Sequence, residues 1–103
     1  MQTHEAKRVE ITIEAMMQTR LTTALERAGV TGYTILPVFS GSGRSGNWTR
    51  SGQVSRASGM VQVICIIRPD RLDTLLDAAL GVVESHIGVI SITDCQALQA
   101  ERF

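Results

Sequence analysis

The sequence is poor in aromatic residues and cysteine and has no long apolar run. Aromatic side chains make up 4% of the 103 residues, and Cys65 and Cys95 lack the C-x-x-C spacing typical of metal and redox sites. We therefore expect two reduced, buried thiols that pack as small apolar side chains. No apolar stretch approaches the roughly 20 residues of a membrane span, and the N-terminus is unlike a signal peptide, so a cytoplasmic protein is expected.

Acidic residues are absent from the middle of the chain. No carboxylate lies between Glu26 and Asp70, whereas five arginines do, although the formal net charge of the whole chain is zero. A local excess of arginine attracts phosphate, other anions or an acidic partner surface. The neutral total argues against a protein that binds bulk nucleic acid.

Sequence motifs for catalysis or metal binding are missing as well. The chain has no GxSxG or HExxH motif and no carboxylate pair that the sequence forces together, so we expect no enzymatic activity and no metal site. His4 is predicted to lie in a tail and His86 in a turn, where a lone histidine is more often solvated than catalytic or metal-binding.

The residues that are present predict one domain, residues 1–103, with four strands and two helices. After a polar tail of residues 1–7, period-2 alternation predicts a strand at 9–14, and helical spacing runs from Met17 to a stop at Gly29. Further strands are predicted at 33–39, 60–67 and 89–95. Pro37 indicates that the strand at 33–39 is an edge strand or that its end is frayed there. The third predicted strand is apolar at nearly every position, which indicates burial on both faces.

The second helix begins at Pro69 and carries an apolar stripe that we expect in the core, formed by Leu72, Leu75, Leu76, Ala79, Leu80 and Val83. Asp94 could cap a last helical turn through Gln96 to Arg102.

The order β-α-β-β-α-β predicts an α+β, ferredoxin-like sandwich with the first and third strands at the centre and both helices on one face. The uncovered sheet face predicts a homo-oligomer, and the first strand should separate Cys65 from Cys95 by more than a disulfide spans.

The segment 40–59, SGSGRSGNWTRSGQVSRASG, interrupts this pattern with a long loop rich in glycine and serine. Its GSGRSG run suits phosphate, because glycine N–H groups can approach an anion and Arg44 can add a bidentate contact. Trp48 suits either stacking against single-stranded nucleic acid, anchoring of the loop itself, or contact with a protein partner. A flexible linker without a function is the remaining interpretation.

Several of these segments together resemble the PII-like signalling proteins, in particular their bicarbonate-transport and carboxysome-associated branch. The similar segments are GVTGYTILPV (29–38), GSGRSG and TRSG within the loop, and IGVISITDCQALQAERF (87–103). The resemblance implies a homotrimer with an adenine nucleotide in each cleft between subunits. It also implies that 40–59 is a T-loop, a flexible loop between the second and third strands that changes conformation with the ligand and contacts a partner.

The resemblance further implies roles for individual residues. Thr34 and the backbone of Ile66 would face the adenine, and Gly88 would belong to the B-loop of the cleft. Trp48 would be the partner contact. Around the phosphates would lie Gly41, Gly43, Arg44, Ser45 and Gly46, with Arg50 close by. The phosphate-binding lysine of the B-loop and the C-terminal arginine pair of nitrogen-sensing PII proteins are absent, which favours ADP, AMP or cyclic AMP over ATP with 2-oxoglutarate.

The sequence therefore predicts a regulatory protein that senses ADP or AMP, and bicarbonate with them, and signals through its T-loop to a bicarbonate transporter or carboxysome-related protein. The ligands would not be cofactors, and nucleic acid is not an expected partner. Two alternatives remain from other classes. One is a trimeric metal-binding protein of the CutA kind, and the other is a single-stranded nucleic-acid binder that uses the arginines and Trp48.

Overall fold

The structure, a computed structural model, describes residues 1–43, 46–49, 59–99 and 103. In chain order the elements are β1 (His4–Glu14), α1 (Gln18–Arg27), β2 (Thr34–Pro37), β3 (Ser40–Gly43), β4 (Gly46–Thr49), β5 (Met60–Ile67), α2 (Leu72–Val83) and β6 (Gly88–Ala97). A short 3-10 helix precedes each α-helix, at Ala15–Met17 and Pro69–Arg71. Within the described ranges, none of the helices has the length and apolar character that a membrane crossing requires.

Four of the strands form one antiparallel sheet in the order β2-β5-β1-β6. Helices α1 and α2 contact each other and pack on one face of this sheet. The ferredoxin-like α+β fold is thereby confirmed, with the first and third predicted strands, now β1 and β5, at the centre. The predicted bounds of the third strand, 60–67, are those observed.

Side chains of β1 and β5 alternate between the core and the face opposite the helices, here called the open face. The core side is fully or nearly fully buried and comprises Val9, Ile11, Ile13, Val61, Val63, Cys65 and Ile67, packed against Leu21 and Leu25 of α1 and Leu75 and Ala79 of α2. The open face carries Arg8, Glu10, Thr12 and Glu14 of β1 and Gln62, Ile64 and Ile66 of β5, each half-buried. The predicted burial of both faces of β5 is therefore complete only on the helix side of the single chain.

Two expectations for the chain ends are wrong. Residues 4–7 are part of β1 rather than a tail, and β6 continues through Ala97 rather than giving way to a helical turn capped by Asp94. The polar side chains there pair across the sheet: Lys7 Nζ lies 2.6 Å from Asp94 Oδ1, and Thr3 Oγ1 donates to Gln96 Oε1 at 2.6 Å. Alternation of apolar residues does not detect a strand end whose partners are polar.

Burial also corrects two assignments to the core. Leu80 of α2 is 51% exposed, whereas Val82, absent from the predicted stripe, is buried. Cys95 is half-buried, unlike the fully buried Cys65, because it lies on the edge strand β6.

Two further predictions are confirmed. The two thiols are separated, since β1 lies between their strands. Gly29 ends the first helix with a φ of 89°.

The predicted loop 40–59 contains secondary structure where the structure describes it. Strands β3 and β4 pair in an antiparallel ladder in which Gly41 lies opposite Trp48 and Gly43 opposite Gly46. Residues 44–45 and 50–58 lie outside the described residues. The expectation of a segment without regular structure is therefore wrong for 40–43 and 46–49.

Candidate functional site

A groove of about 430 Å³ lies on the open face where β2 begins. Three parts of the chain contribute to it: the start of β2 with the residues just before it, the second half of β5, and the end of β6 with the residues after it. Its lining residues are Gly32, Tyr33, Thr34, Ile64, Ile66, Ala97, Leu98, Gln99 and Phe103. Thr34 and Ile66, the two residues implied to face an adenine, thus lie together in one cavity.

Backbone geometry leaves the peptide groups of Ile66 available to this groove. The N–H of Val38 donates to the Met60 carbonyl oxygen at 3.2 Å, so Met60 directs its peptide groups towards β2. Peptide groups alternate in direction along a strand, so those of Ile66 point to the same side. The β2–β5 ladder ends at the Thr34–Ile64 pair, and Ile66 lies beyond it. An N–H donor and a carbonyl acceptor therefore sit side by side at the groove.

The walls of the groove combine apolar surface with few polar groups. Ile64, Ile66 and Leu98 provide flat apolar contact, and Thr34 adds an exposed hydroxyl next to the backbone pair of Ile66. Small-molecule sites typically have this composition, in which apolar walls supply contact area and a few polar groups set the orientation. A planar ring with a neighbouring acceptor and donor, as in adenine, matches these groups.

Two arginines flank a smaller cavity, of about 110 Å³, that shares Phe103 with the groove. Arg68 and Arg71 line it together with the end of α1 at Ala28 and Gly29. Arg71 Nη2 donates to the Ala28 carbonyl oxygen at 3.0 Å, so this guanidinium binds the C-terminus of α1. Arg68 is exposed, and its Nε lies 3.8 Å from Asp70 Oδ1. Because Arg68 lines the cavity next to the groove, it is a cation near the site that the sequence analysis did not assign to it.

The proposed phosphate-binding residues fall on β3, β4 and the segments beside them. Gly41 and Gly43 lie in β3 and Gly46 begins β4, so the backbones of the three glycines belong to one two-stranded ladder. Arg44, Ser45 and Arg50 lie outside the described residues, and the backbone of Trp48 lies in β4. The phosphate-binding role of all six residues, and the partner contact at Trp48, stay predictions.

Gly88, the residue implied for the B-loop, opens β6 and packs tightly against β1. A Cβ atom at this position would lie 2.7 Å from the carbonyl oxygen of Thr12 and 3.2 Å from Val83 Cγ1, so only glycine fits. The preceding turn is held by Glu14, whose Oε1 accepts a hydrogen bond from the Ile87 N–H at 3.2 Å and lies 3.6 Å from His86 Nδ1. His86 is half-buried here and not freely solvated.

Within one chain the groove and Gly88 are far apart. Ala97 lines the groove at one end of β6 and Gly88 lies at the other end, a separation of about 30 Å at the usual rise per residue. A single nucleotide cannot reach from the groove to Gly88 of the same chain. The structure therefore brings Thr34 and Ile66 together and leaves Gly88 elsewhere.

In the part of the chain that the structure describes, the thiols and other potential ligands are not arranged as a metal site. Burial raises the pKa of Cys65 to about 11, so its thiol stays protonated and poorly nucleophilic at neutral pH. On β6, Asp94 pairs with Lys7, and its hydrogen bond and charge raise the pKa of that amine. Across residues 1–43, 46–49, 59–99 and 103, no three or more His, Cys, Asp or Glu side chains cluster as a metal site would require.

The sequence analysis missed several residues that line the groove or hold the turn before Gly88. Leu98, Gln99 and Phe103 line the groove. Leu98 and Gln99 were predicted to lie in a last helical turn and Phe103 was given no role, because no periodicity marks a segment that follows the last strand. Ile64 could have been found, because it is two residues from Ile66 and so shares its face of β5. Glu14 was predicted only to end the first strand, since the turn that it binds is distant in sequence.

Comparison with known proteins places these features in a family. The family model described as nitrogen regulatory protein P-II matches residues 6–102. The structure is similar to that of CPII, a nitrogen regulatory PII-like protein from Thiomonas intermedia K12 bound to ADP, AMP and bicarbonate: the TM-score is 0.90 at 27% identity, covering 99% of this chain and 96% of that one.

Two further structures give the same result for the fold. CPII from Thiomonas intermedia K12 bound to ADP and bicarbonate matches with a TM-score of 0.84 at 28% identity, covering 99% of this chain and 97% of that one. A PII-like signalling protein from Thermus thermophilus matches with a TM-score of 0.80 at 19% identity, covering 100% and 99%, respectively. A search of curated protein sequences gives no match.

Proposed function

We propose that this chain, which belongs to the nitrogen regulatory protein P-II family, is a non-enzymatic trimeric sensor of ADP or AMP, with cyclic AMP as a further candidate ligand. Bicarbonate binds with the nucleotide, and the T-loop passes the signal to an inorganic-carbon transporter or a carboxysome-related protein. The observation that carries the proposal is the groove that holds Thr34 and Ile66 together. CPII, similar to this chain over nearly its whole length, binds ADP, AMP and bicarbonate.

The groove accounts for recognition of the base. The adenine ring lies against Ile64 and Leu98, its exocyclic amine donates to the Ile66 carbonyl, and its adjacent ring nitrogen accepts from the Ile66 N–H. The Thr34 hydroxyl supplies one more polar contact at the rim. Recognition through a backbone pair selects adenine over guanine, because guanine presents the opposite donor and acceptor order at these positions.

The phosphates lie between copies of the chain. Gly88 lies about 30 Å from the groove within one chain, so a nucleotide meets both only if a second copy supplies Gly88. The glycines of β3 and β4, with Arg44, Ser45 and Arg50, bring N–H donors and positive charge to the same cleft. The missing B-loop lysine leaves fewer cations than a triphosphate needs, which favours ADP and AMP over ATP.

The T-loop carries the response. Its conformation is coupled to the ligand because the phosphates contact its base at Gly41 to Gly46, and only a ligand with different affinity for two conformations shifts their balance. Trp48 is the contact with the partner, since tryptophan is enriched at the centres of protein interfaces. The inorganic-carbon partner rests on the similarity to the bicarbonate-associated branch and on the bicarbonate bound by CPII.

Calorimetry with ATP, ADP, AMP and cyclic AMP, each with and without bicarbonate, tests the proposal. We expect ADP and AMP to bind more tightly than ATP. Thr34→Val keeps the shape of the strand residue and removes its hydroxyl, so it should weaken ADP binding about fivefold, the effect of one neutral hydrogen bond. Thr74→Val is the matched control, because Thr74 is exposed on α2, on the other side of the sheet.

Three results would contradict the proposal or a part of it. Absence of binding by every nucleotide would remove the sensor function, and equal loss of ADP affinity in Thr34→Val and Thr74→Val would remove the groove as the base site. Affinity for single-stranded nucleic acid that falls steeply with log salt would instead support the alternative binder.

A further inference from the structure

Two segments of the proposed cleft meet at the end of β1. Glu14 is the last residue of this strand and pairs with Met60, the first residue of β5. Its carboxylate accepts the Ile87 N–H at 3.2 Å, and its next neighbour, Ala15, donates its N–H to the Gly59 carbonyl oxygen at 2.8 Å. The turn before Gly88 and the last residue of the T-loop are thus attached to adjacent residues, the last of β1 and the first of the 3-10 helix that follows it.

This attachment is rigid on the β1 side. Glu14 lies between two core residues, Ile13 and Met17, and its side chain is only 20% exposed. The Ala15–Gly59 bond holds the same strand end against the buried start of β5. The hydrogen bond that Glu14 accepts from Ile87 therefore ties the position of the turn to that of the central sheet.

The turn has few other fixed points. Within residues 84–87, the described hydrogen bonds are those of the Glu84 and His86 N–H groups to the end of α2 and that of Ile87 to Glu14. His86 Nδ1 lies 3.6 Å from the same carboxylate oxygen, so protonated histidine would add a charge contact. Gly88 packs against Thr12 without room for a side chain, which means that a small shift of the turn changes this contact directly.

We infer that Glu14 is a positioning residue for the nucleotide cleft: it fixes the 86–88 turn to the end of β1, and so sets the place of Gly88 before the ligand arrives. The inference deepens the proposed function and rests on it. A preorganised turn spares the ligand the cost of ordering those residues, which appears as affinity. Glu14 has no contact with the nucleotide in this arrangement, so its substitution acts only through the turn.

Two measurements on the full chain test the inference, amide hydrogen exchange without ligand and calorimetry with ADP. Glu14→Ala should speed exchange at Ile87 and weaken ADP binding about tenfold, the order expected when a hydrogen bond to a charged group is lost. Glu14→Gln retains an oxygen acceptor and should keep ADP affinity within about threefold of the unmodified chain. Glu84→Ala is the control, because this exposed carboxylate has the same turn as neighbour and no described hydrogen bond.

The two measurements separate the possible failures. Unchanged exchange at Ile87 in Glu14→Ala overturns the anchoring, and faster exchange with unchanged ADP affinity overturns the positioning role. If Glu14→Ala does not fold, Glu14→Met, which has similar length and cannot accept the bond, replaces it with the same expected results. If the unmodified chain binds no nucleotide, the proposed function is overturned, while exchange at Ile87 still decides whether Glu14 anchors the turn.

Discussion

Gly88 and Gly81 show how differently two glycines can be constrained within eight positions. A Cβ atom at Gly88 would lie 2.7 Å from a backbone oxygen of β1, which cannot move without disturbing the central sheet. At Gly81, on the exposed side of α2, a Cβ atom would have no neighbour within 4 Å apart from the backbone of the helix itself. The first glycine is required by packing, whereas the second only lowers the helix propensity of α2.

Substitution of the two glycines should therefore change stability in opposite directions. Gly88→Ala is expected to lower the free energy of unfolding by about 1–3 kcal/mol, as overpacking does, and to weaken ADP binding by displacing the turn. Gly81→Ala should raise it by about 0.5–1 kcal/mol. Urea denaturation at one protein concentration measures both, and a Gly88→Ala chain as stable as the unmodified one would refute the tight contact with Thr12.

Helix α2 contributes to the core through one face and leaves the rest exposed. Leu75 is 1% exposed and packs with Ala79 against the sheet, whereas Leu80 is 51% exposed. Both leucines fit an apolar stripe at helical spacing, so their spacing alone does not separate them. Their burial differs because the sheet reaches only one side of the helix.

Truncation of these two leucines should separate core from surface. Leu75→Ala is expected to cost about 2–4 kcal/mol, because it removes buried apolar contact and leaves a cavity. Leu80→Ala should change the free energy of unfolding by less than about 0.5 kcal/mol. Chemical denaturation measures both values. Comparable losses for the two variants would mean that another surface covers Leu80 in the assembled protein.

Elements with a simple apolar pattern could be predicted from the sequence, and polar strand ends could not. The eight-residue run of β5 was predicted with its observed bounds, because its apolar residues decide its place in any packing. Residues 4–7 were missed because Glu5 and Lys7 lie opposite Gln96 and Asp94, which are polar and about 90 positions away. The resemblance to a family singled out Thr34 and Ile66, which the structure brings into one groove, and their role in binding a base stays a prediction. Glu14 could not be singled out, because its contact with the turn is a tertiary hydrogen bond that no local pattern reports.

The open face is the surface through which we expect copies of the chain to pack. Some of its polar groups pair with one another: Gln62 Nε2 donates to Thr12 Oγ1 at 3.3 Å, and Arg8 Nη1 lies 2.8 Å from Glu10 Oε1. Burial of such pairs costs less than burial of isolated polar groups. Together with the half-buried Ile64 and Ile66, this makes the open face suitable for packing against further copies of the chain.

Light scattering should give a mass about three times the 11.2 kDa of one chain. Ile64→Glu places a carboxylate opposite Glu10 in the middle of the open face, and we expect it to yield single chains. Thr74→Glu adds the same charge on α2 and should leave the mass unchanged. A monomeric unmodified chain, or a trimeric Ile64→Glu chain, would refute packing through the open face.

The T-loop leaves and rejoins the sheet at neighbouring positions, since the Val38 N–H binds the Met60 carbonyl at 3.2 Å and Ala15 holds Gly59. These two hydrogen bonds hold the ends of the loop together, and neither depends on how many residues lie between the two ends. Each doubling of a closed loop costs only about 0.6 kcal/mol of closure entropy. A longer or shorter segment can therefore replace the outer part of this loop at little cost in stability, while the four-stranded sheet and the groove beside Thr34 stay the same.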